Sequence, residues 1–228
     1  LVNNPGSWSH IYGPLKHAPW HGWTPTDLIF PFFLFIVGVS IVLAFTKAKA
    51  KGAHNSDLLK KTLIRAAKIF GLGLALSAFP YLTFSPDFGF HSNLIDLRIP
   101  GVPQRIAICY AVGSILFLYT KPKTQMYTLA GLLLGYWFLM IGIPVPGFGA
   151  GVLDNPEGNL AAYIDQLTLA GHTWKENWDP EGLLSTLPAI GTTLIGIWTG
   201  RILMKDHDSE SSRTLQFFIW GFVLIIVG

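Results

Sequence analysis

Apolar runs of membrane-spanning length dominate this chain. Crossing a bilayer as a helix takes about 20 residues. Five runs reach that length: Pro25 to Thr46, Lys61 to Phe84, Val102 to Thr120, Thr124 to Ile143 and Gly182 to Met204. A sixth opens at Thr214 and is still apolar at Gly228. With no water at membrane depth, each run must satisfy its backbone internally, so the expected fold is all-α: a polytopic transmembrane helix bundle of about six helices. Leu1 is not a Met, Leu1 to Asn4 reads as the exit of an earlier helix, and the last run is cut short. The expectation is one transmembrane domain, residues 1–228, lacking helices at both ends. No basic segment followed by a cleavable apolar stretch marks a signal peptide.

Composition supports a membrane solvent. Half of the residues are hydrophobic and 13% are charged, against about 25% charged in soluble domains. The mean hydropathy is +0.44. The net charge of +3 could suggest a nucleic-acid partner. The basic residues lie between apolar runs, however, where membrane topology explains them and nucleic acid does not. Cys109 is the single cysteine, so no internal disulfide forms.

The connections give an orientation. One side carries Lys47, Lys49, Lys51, Lys60, Lys61 and Arg65, followed by Lys68, then Lys121 and Lys123, then Arg201, Lys205 and Arg213. The alternate connections have Lys16, Arg98 and Lys175 among Asp87, Asp96, Asp154, Glu157, Asp165, Glu176, Asp179 and Glu181. Positive charge marks the cytoplasmic side. Residues 1–24, 85–101 and 144–181 are therefore expected outside, in the periplasm if the membrane is a bacterial inner membrane. These outer loops are rich in Trp and His: Trp8, His10, His17, Trp20, His21 and Trp23, then His91, then His172, Trp174 and Trp178. Interfacial belts account for most of the Trp but not for so many imidazoles on one side.

Thr24-Pro25-Thr26-Asp27 fits a capping box, with Thr24 as N-cap, Pro25 first in the helix and Asp27 third. Asp27 can equally be an acid at the membrane edge near His17. Pro31 inside the run predicts a kink. Histidine titrates near neutral pH, so His17 suits proton abstraction or nucleophilic transfer; it can equally be a plain surface-loop residue. No metal is expected. Pro19 between His17 and His21 opposes the helix that would align them, and no zinc-type Cys or His-Glu-x-x-His pattern is present. Arg105 lies one turn inside its run. It either snorkels to the interface or serves function, since guanidinium suits phosphate recognition. Asp179 and Pro180 read as an N-cap and first helical residue, and Arg201 reads as an inner-side anchor. Walker loops, nucleophile elbows and dinucleotide fingerprints are absent from the sequence.

The blocks Val2-Asn3, Lys16-His17-Ala-Pro-Trp-His-Gly-Trp-Thr-Pro-Thr-Asp27-Leu-Ile-Phe-Pro-Phe-Phe33, Arg98-Ile-Pro-Gly-Val-Pro-Gln104-Arg105, and Asp179-Pro-Glu-Gly-Leu-Leu with Gly200-Arg201-Ile-Leu run in order along nearly the whole chain. They resemble the heparan-α-glucosaminide N-acetyltransferase family, in its bacterial branch, also described as N-acetylglucosamine-related transporters. The resemblance implies a transmembrane acyltransferase-like bundle that moves an acetyl group from cytosolic acetyl-CoA to an amino sugar or cell-envelope glycan on the far side. It implies His17 as the active histidine and Asn3 as its partner; Asp27, the acid at the membrane edge near His17, is the third expected catalytic residue. It also implies Gln104, Arg105 and Arg98 as cofactor-binding residues. The chain departs from the family pattern in a longer loop between Asn3 and His17, and in Pro103 where Leu is usual. His17 could act as base or take the acetyl group first, and the Asn3 amide could donate to a developing oxyanion. The implied partners are the lipid bilayer, the sugar acceptor and a second copy of the chain in a homodimer. The competing expectation is a transporter of N-acetylglucosamine or a related amino sugar, which the intramembrane prolines Pro31, Pro80 and Pro188 fit equally well. An assembly subunit without chemistry is a third.

Overall fold

A computed structural model describes residues 6–84, 88–204 and 209–227. Asn3, the Leu1 to Asn4 helix exit, Asp87 and Lys205 lie outside the described residues. Helices α1 (Ile29–Ala50), α2 (Asn55–Ser77), α3 (Ser92–Ile95), α4 (Val102–Tyr119), α5 (Pro122–Gly142), α6 (Leu160–Leu169), α7 (Thr186–Leu203) and α8 (Glu210–Val227) make the architecture all-α. The described sheet is a two-residue ribbon in which β1 (Leu82–Thr83) pairs antiparallel with β2 (Gly89–Phe90), Leu82 opposite Phe90. Among the described residues, α1, α4 and α5 are long and apolar enough to cross a membrane.

The long helices alternate in direction. Asn55 at the start of α2 donates to the Leu118 carbonyl at the end of α4, while Gly73 of α2 abuts Gln104 at the start of α4. Those helices are therefore antiparallel along their length. In the α1–α7 seam, Gly38 meets Gly196 and Val42 meets Gly200, a parallel pairing. A Cβ on Gly38 would stand 2.1 Å from the Thr193 carbonyl oxygen, and one on Gly196 2.0 Å from that of Phe35. The Gly196-x-x-x-Gly200 spacing thus permits backbone-to-backbone contact, the means by which helices associate where burial from water gives no drive. Leu34, Ile41, Val42, Cys109, Leu194 and Ile197 fill the core beside that seam.

Two ends result. Lys47, Lys49, Lys121 and Arg201 gather at one, the lysine end; His17, Arg98 and the segment before α7 gather at the other, the His17 end. The expected alternation of connections is reproduced by this geometry.

Several element boundaries differ from expectation for identifiable reasons. The run Lys61 to Phe84 is not one helix: α2 starts at Asn55 and ends at Ser77. Pro80 disfavours helical backbone at Phe79 and cannot donate to a helical ladder. Because Lys60, Lys61, Arg65 and Lys68 fall within it, α2 is not among the helices apolar enough to cross alone. Pro25 does not start α1. Residues 25–28 form a turn and the helix begins at Ile29. Pro31 consequently sits in the first turn, where its missing N–H forfeits no intrahelical bond. Likewise α7 starts at Thr186, after a turn rather than at Pro180. The 144–181 connection contains a helix that no apolar run announced, α6, capped by Asn159 accepting from the Ala162 N–H at 3.0 Å.

Candidate active site

The loop before α1 is folded onto the helix start by short polar ties. Thr26 is buried and donates its hydroxyl to the Pro14 carbonyl at 3.0 Å. Thr24 donates to the Lys16 carbonyl at 2.8 Å and to Asp27 Oδ2 at 3.0 Å. The backbone N–H groups of Thr24 and Ala18 also donate to Asp27 Oδ2, at 2.9 and 3.1 Å. Half of the expected capping box is present, since Asp27 accepts the Thr24 N–H. The same carboxylate has a second task. Its Oδ1 lies 2.6 Å from His17 Nδ1. The two oxygens of Asp27 thus divide their contacts: Oδ2 fastens the loop, and Oδ1 faces the imidazole.

Electrostatics fix the roles in this pair. Burial opposes the Asp27 charge, but the bonds from His17, Ala18 and Thr24 outweigh it and lower its pKa to about 2. A carboxylate ionised at neutral pH accepts the Nδ1 proton, which leaves Nε2 of a neutral imidazole as a lone-pair nitrogen. The His17 side chain is 59% exposed, so that nitrogen is within reach of a ligand.

The other outer histidine has its own partner. His21 Nε2 lies 2.7 Å from Asp154 Oδ1, and Trp20 next to it donates its indole N–H to the Leu153 carbonyl at 2.7 Å. These contacts clamp the His17 loop onto the connection between α5 and α6. Among the described residues, no three His, Cys, Asp or Glu side chains come together as a metal-ligand group.

The two arginines meet the segment that leads into α7. Arg98 donates Nε and Nη2 to the two oxygens of Asp179, at 2.8 and 2.7 Å, and Nη2 also to Glu181. Asp179 is fully buried and takes two further bonds, from the N–H groups of Trp174 and Glu181. Burial acts against the Arg98 charge, but Asp179 and Glu181 reverse this and raise its pKa. Glu181 is pushed above the usual range, by burial first and by Asp179, against the pull of Arg98 and Arg105. Arg98 is thus a tie between loops rather than a cation left open for a cofactor. Arg105 donates Nη2 to the Gly182 carbonyl at 2.8 Å and to the Ser185 hydroxyl. It does not snorkel; 7% of the residue is exposed. Its Nε, and both polar atoms of the buried Gln104 amide, have no partner among the described residues.

Asp165 and Arg201 acquire roles that their sequence context did not announce. Asp165 of α6 is 1% exposed and accepts the Leu183 N–H at 2.9 Å. A Cβ on Gly182 would fall 1.8 Å from its Oδ2, so Asp165 and Arg105 grip the Gly182 peptide from two sides. Asn159 ahead of an apolar decade was the available signal for α6; for Asp165 itself there was none. At the lysine end, a cavity of about 610 Å³ is lined by Arg201, Phe117, Trp198 and Trp220. Arg201 donates to Gln125 at 3.1 Å and lies 4.7 Å over the Phe117 ring, with its Nε lacking a partner among the described residues.

Comparison with known proteins covers most of the chain. The family model described as heparan-alpha-glucosaminide N-acetyltransferase, catalytic, matches residues 10–228. A Homo sapiens protein named heparan-alpha-glucosaminide N-acetyltransferase is 29% identical over 264 residues, covering 95% of this chain and 38% of the relative. The Mus musculus protein of that name is 28% identical over 261 residues, covering 95% and 39%. The chain spans about two fifths of the length of these curated relatives.

Proposed function

The chain belongs to the heparan-alpha-glucosaminide N-acetyltransferase catalytic family, and on that premise we propose that it forms the catalytic part of a membrane-embedded acyltransferase. The donor is acetyl-CoA, the acceptor the amine of an amino sugar or cell-envelope glycan, and the His17 end faces away from the cytoplasm. The observation that carries this reading is the His17–Asp27 pair, with Nδ1 engaged at 2.6 Å and Nε2 open.

Acyl transfer to an amine needs a group that removes a proton as the nitrogen adds to the thioester carbonyl. His17 Nε2 takes that proton as the carbon–nitrogen bond forms, and returns it to the sulfur as the carbon–sulfur bond breaks. Asp27 holds the tautomer and stabilises the imidazolium in between. A path through acetylated His17 uses the same open nitrogen. Asn3 is proposed as a donor to the oxyanion.

The cavity at the lysine end supports the donor's place. Its volume falls within the roughly 300–1,000 Å³ of small-molecule and cofactor sites, and Arg201 offers a guanidinium for phosphate with aromatic rings beside it. Its position also agrees with the inner side that the lysines mark. Gln104 and the Arg105 Nε are unpaired donors deeper along α4, and they are proposed to meet the donor's polar arm.

The test is acetyl transfer from labelled acetyl-CoA to glucosamine by the full-length protein in detergent, wild type beside His17→Ala. Transfer by the wild type and its loss in a folded variant is the expected result. Absence of transfer to any amino sugar, with sugar uptake into proteoliposomes, would instead establish the transporter.

A further inference from the structure

A second cavity, about 230 Å³, lies at the His17 end between the loop that carries His17 and the α5–α7 region. Trp20, Trp178, Tyr136, Asn159, Asp179 and Ser185 line it. Three observations identify a guest. The first is size: at about 230 Å³ the space falls below the roughly 300–1,000 Å³ typical of drug-sized ligands, so it admits one small ring and excludes a CoA molecule. The second is the chemistry of the wall. Trp20 and Trp178 meet edge to face at 5.5 Å, and Trp174 braces Trp178 from behind at 5.7 Å. Fixed aromatic faces with polar handles suit a ligand that is apolar on one face and hydroxylated at its rim. The Tyr136 hydroxyl and the Trp178 indole N–H have no hydrogen-bond partner among the described residues. Asn159, by contrast, is fully committed to capping α6 and to the Asn155 and Pro156 carbonyls, so that wall is rigid. The third is charge. Among the described residues that line it, Asp179 carries charge and no Lys or Arg is present, which disfavours an anionic guest.

We propose that this cavity is the acceptor subsite, holding one pyranose ring of the amino sugar with its C–H face on Trp20 and Trp178 and a ring hydroxyl on Tyr136. Trp20 follows His17 by three positions, so their Cα atoms are at most about 11 Å apart, close enough for the two groups to act on one bound glycan. The inference rests on the acyltransferase reading of His17. Tyr136 and Trp178 act as binding residues that set the acceptor, distinct from the proton transfer at His17.

Glucosamine binding to the full-length protein in detergent, followed by saturation-transfer NMR without acetyl-CoA, tests the cavity independently of turnover. Tyr136→Phe removes the free hydroxyl and leaves the ring in place. The expected result is a several-fold weaker glucosamine affinity and a matching rise in the KM for glucosamine, with the KM for acetyl-CoA unmoved. Trp178→Leu is the stronger variant, read beside its Tm so that a folding defect is seen as such. Sugar affinity indifferent to Tyr136→Phe and to a folded Trp178→Leu overturns the assignment, even if the wild type transfers acetyl. Sugar binding that depends on Tyr136 in a protein that transfers nothing upholds the cavity and sinks the acyltransferase reading instead.

Discussion

Two of the carboxylate-centred pairs at the His17 end are built for opposite purposes. His17–Asp27 and Arg98–Asp179 are equally short, at 2.6 and 2.7 Å. They differ in what remains after the contact is made. The imidazole is 59% exposed and keeps a free nitrogen, whereas Asp179 is wholly buried and receives Arg98 and two backbone donors. A neutral imidazole held by a carboxylate and left with a lone pair at the surface can do chemistry; a saturated ion pair inside can only hold position. Distance alone does not separate them. Stoichiometry of donors and acceptors does.

The largest expected effect tests the open half. His17→Ala should lower kcat for acetyl transfer by at least about 10²–10⁴-fold, the contribution of a positioned base, with little change in Tm because the ring is mostly in solvent. A comparable loss of Tm would mean that the pair is structural after all. Asp27→Asn comes next. The amide still accepts a backbone N–H but no longer offers a charge to fix the tautomer, so kcat should fall by about 10–10²-fold. The pH dependence has a definite sign here. The folded value of about 2 lies below the ordinary aspartate value of 3.8. The pair's stabilisation is therefore complete above the unfolded value and is lost as pH falls through about 2. An activity limb in the neutral range thus cannot come from Asp27. A pH–rate profile measured on Asp27→Asn should retain such a limb, and its disappearance would contradict the assignment.

How far each half could be read from the sequence follows from chain separation. His17 and Asp27 are ten residues apart in one loop, so a capping pattern and a family-like block sufficed to nominate both. Arg98 finds its partners 81 and 83 residues away; periodicity carries no such information, so the sequence offers Arg98 as a cofactor residue through the family resemblance without its carboxylates. The helices divided in the same manner. α4 and α5 are legible nearly to the residue because apolar residues fill most of each run and a proline marks each start. α6 is not, being short, flanked by Gly and Pro, and stabilised by a single Asn cap. Asp179 still accepts the Glu181 N–H as a local cap, but it starts a turn rather than α7, because Arg98 also holds it and Arg105 and Asp165 hold the Gly182 peptide. Tertiary partners shape the entry to α7 alongside the local cap.

The closed half should respond in stability. Arg98→Ala leaves Asp179 buried with backbone donors alone. Breaking a fully buried pair costs about 3–5 kcal/mol; with Arg98 partly solvated, about 2 kcal/mol is expected. Thermal unfolding in detergent reads this directly. A raised KM for acetyl-CoA at unchanged Tm would sharpen the contrast differently, by returning Arg98 to the cofactor.

The smallest effect concerns Asp165, which resembles the closed pair in burial but not in charge balance. Burial pushes its pKa above the usual range and the Asp179 charge pushes the same way, against the N–H bonds from Leu183 and Asp179 and the pull of Arg105. A carboxyl whose folded pKa lies above the unfolded one binds more protons in the native state. Its contribution is therefore complete below the unfolded value and is lost as pH rises through the folded value. At neutral pH the wild type accordingly carries a cost that Asp165→Asn removes, while the amide oxygen can still accept the Leu183 N–H. Stability at neutral pH should change by no more than about 1 kcal/mol and in the favourable direction, and the gain of wild-type stability on acidification toward the unfolded value should vanish in the variant. Tm measured across that window decides the matter. Destabilisation of Asp165→Asn at neutral pH would show an ionised carboxylate held by Arg105 and would move Asp165 into the class of saturated ion pairs.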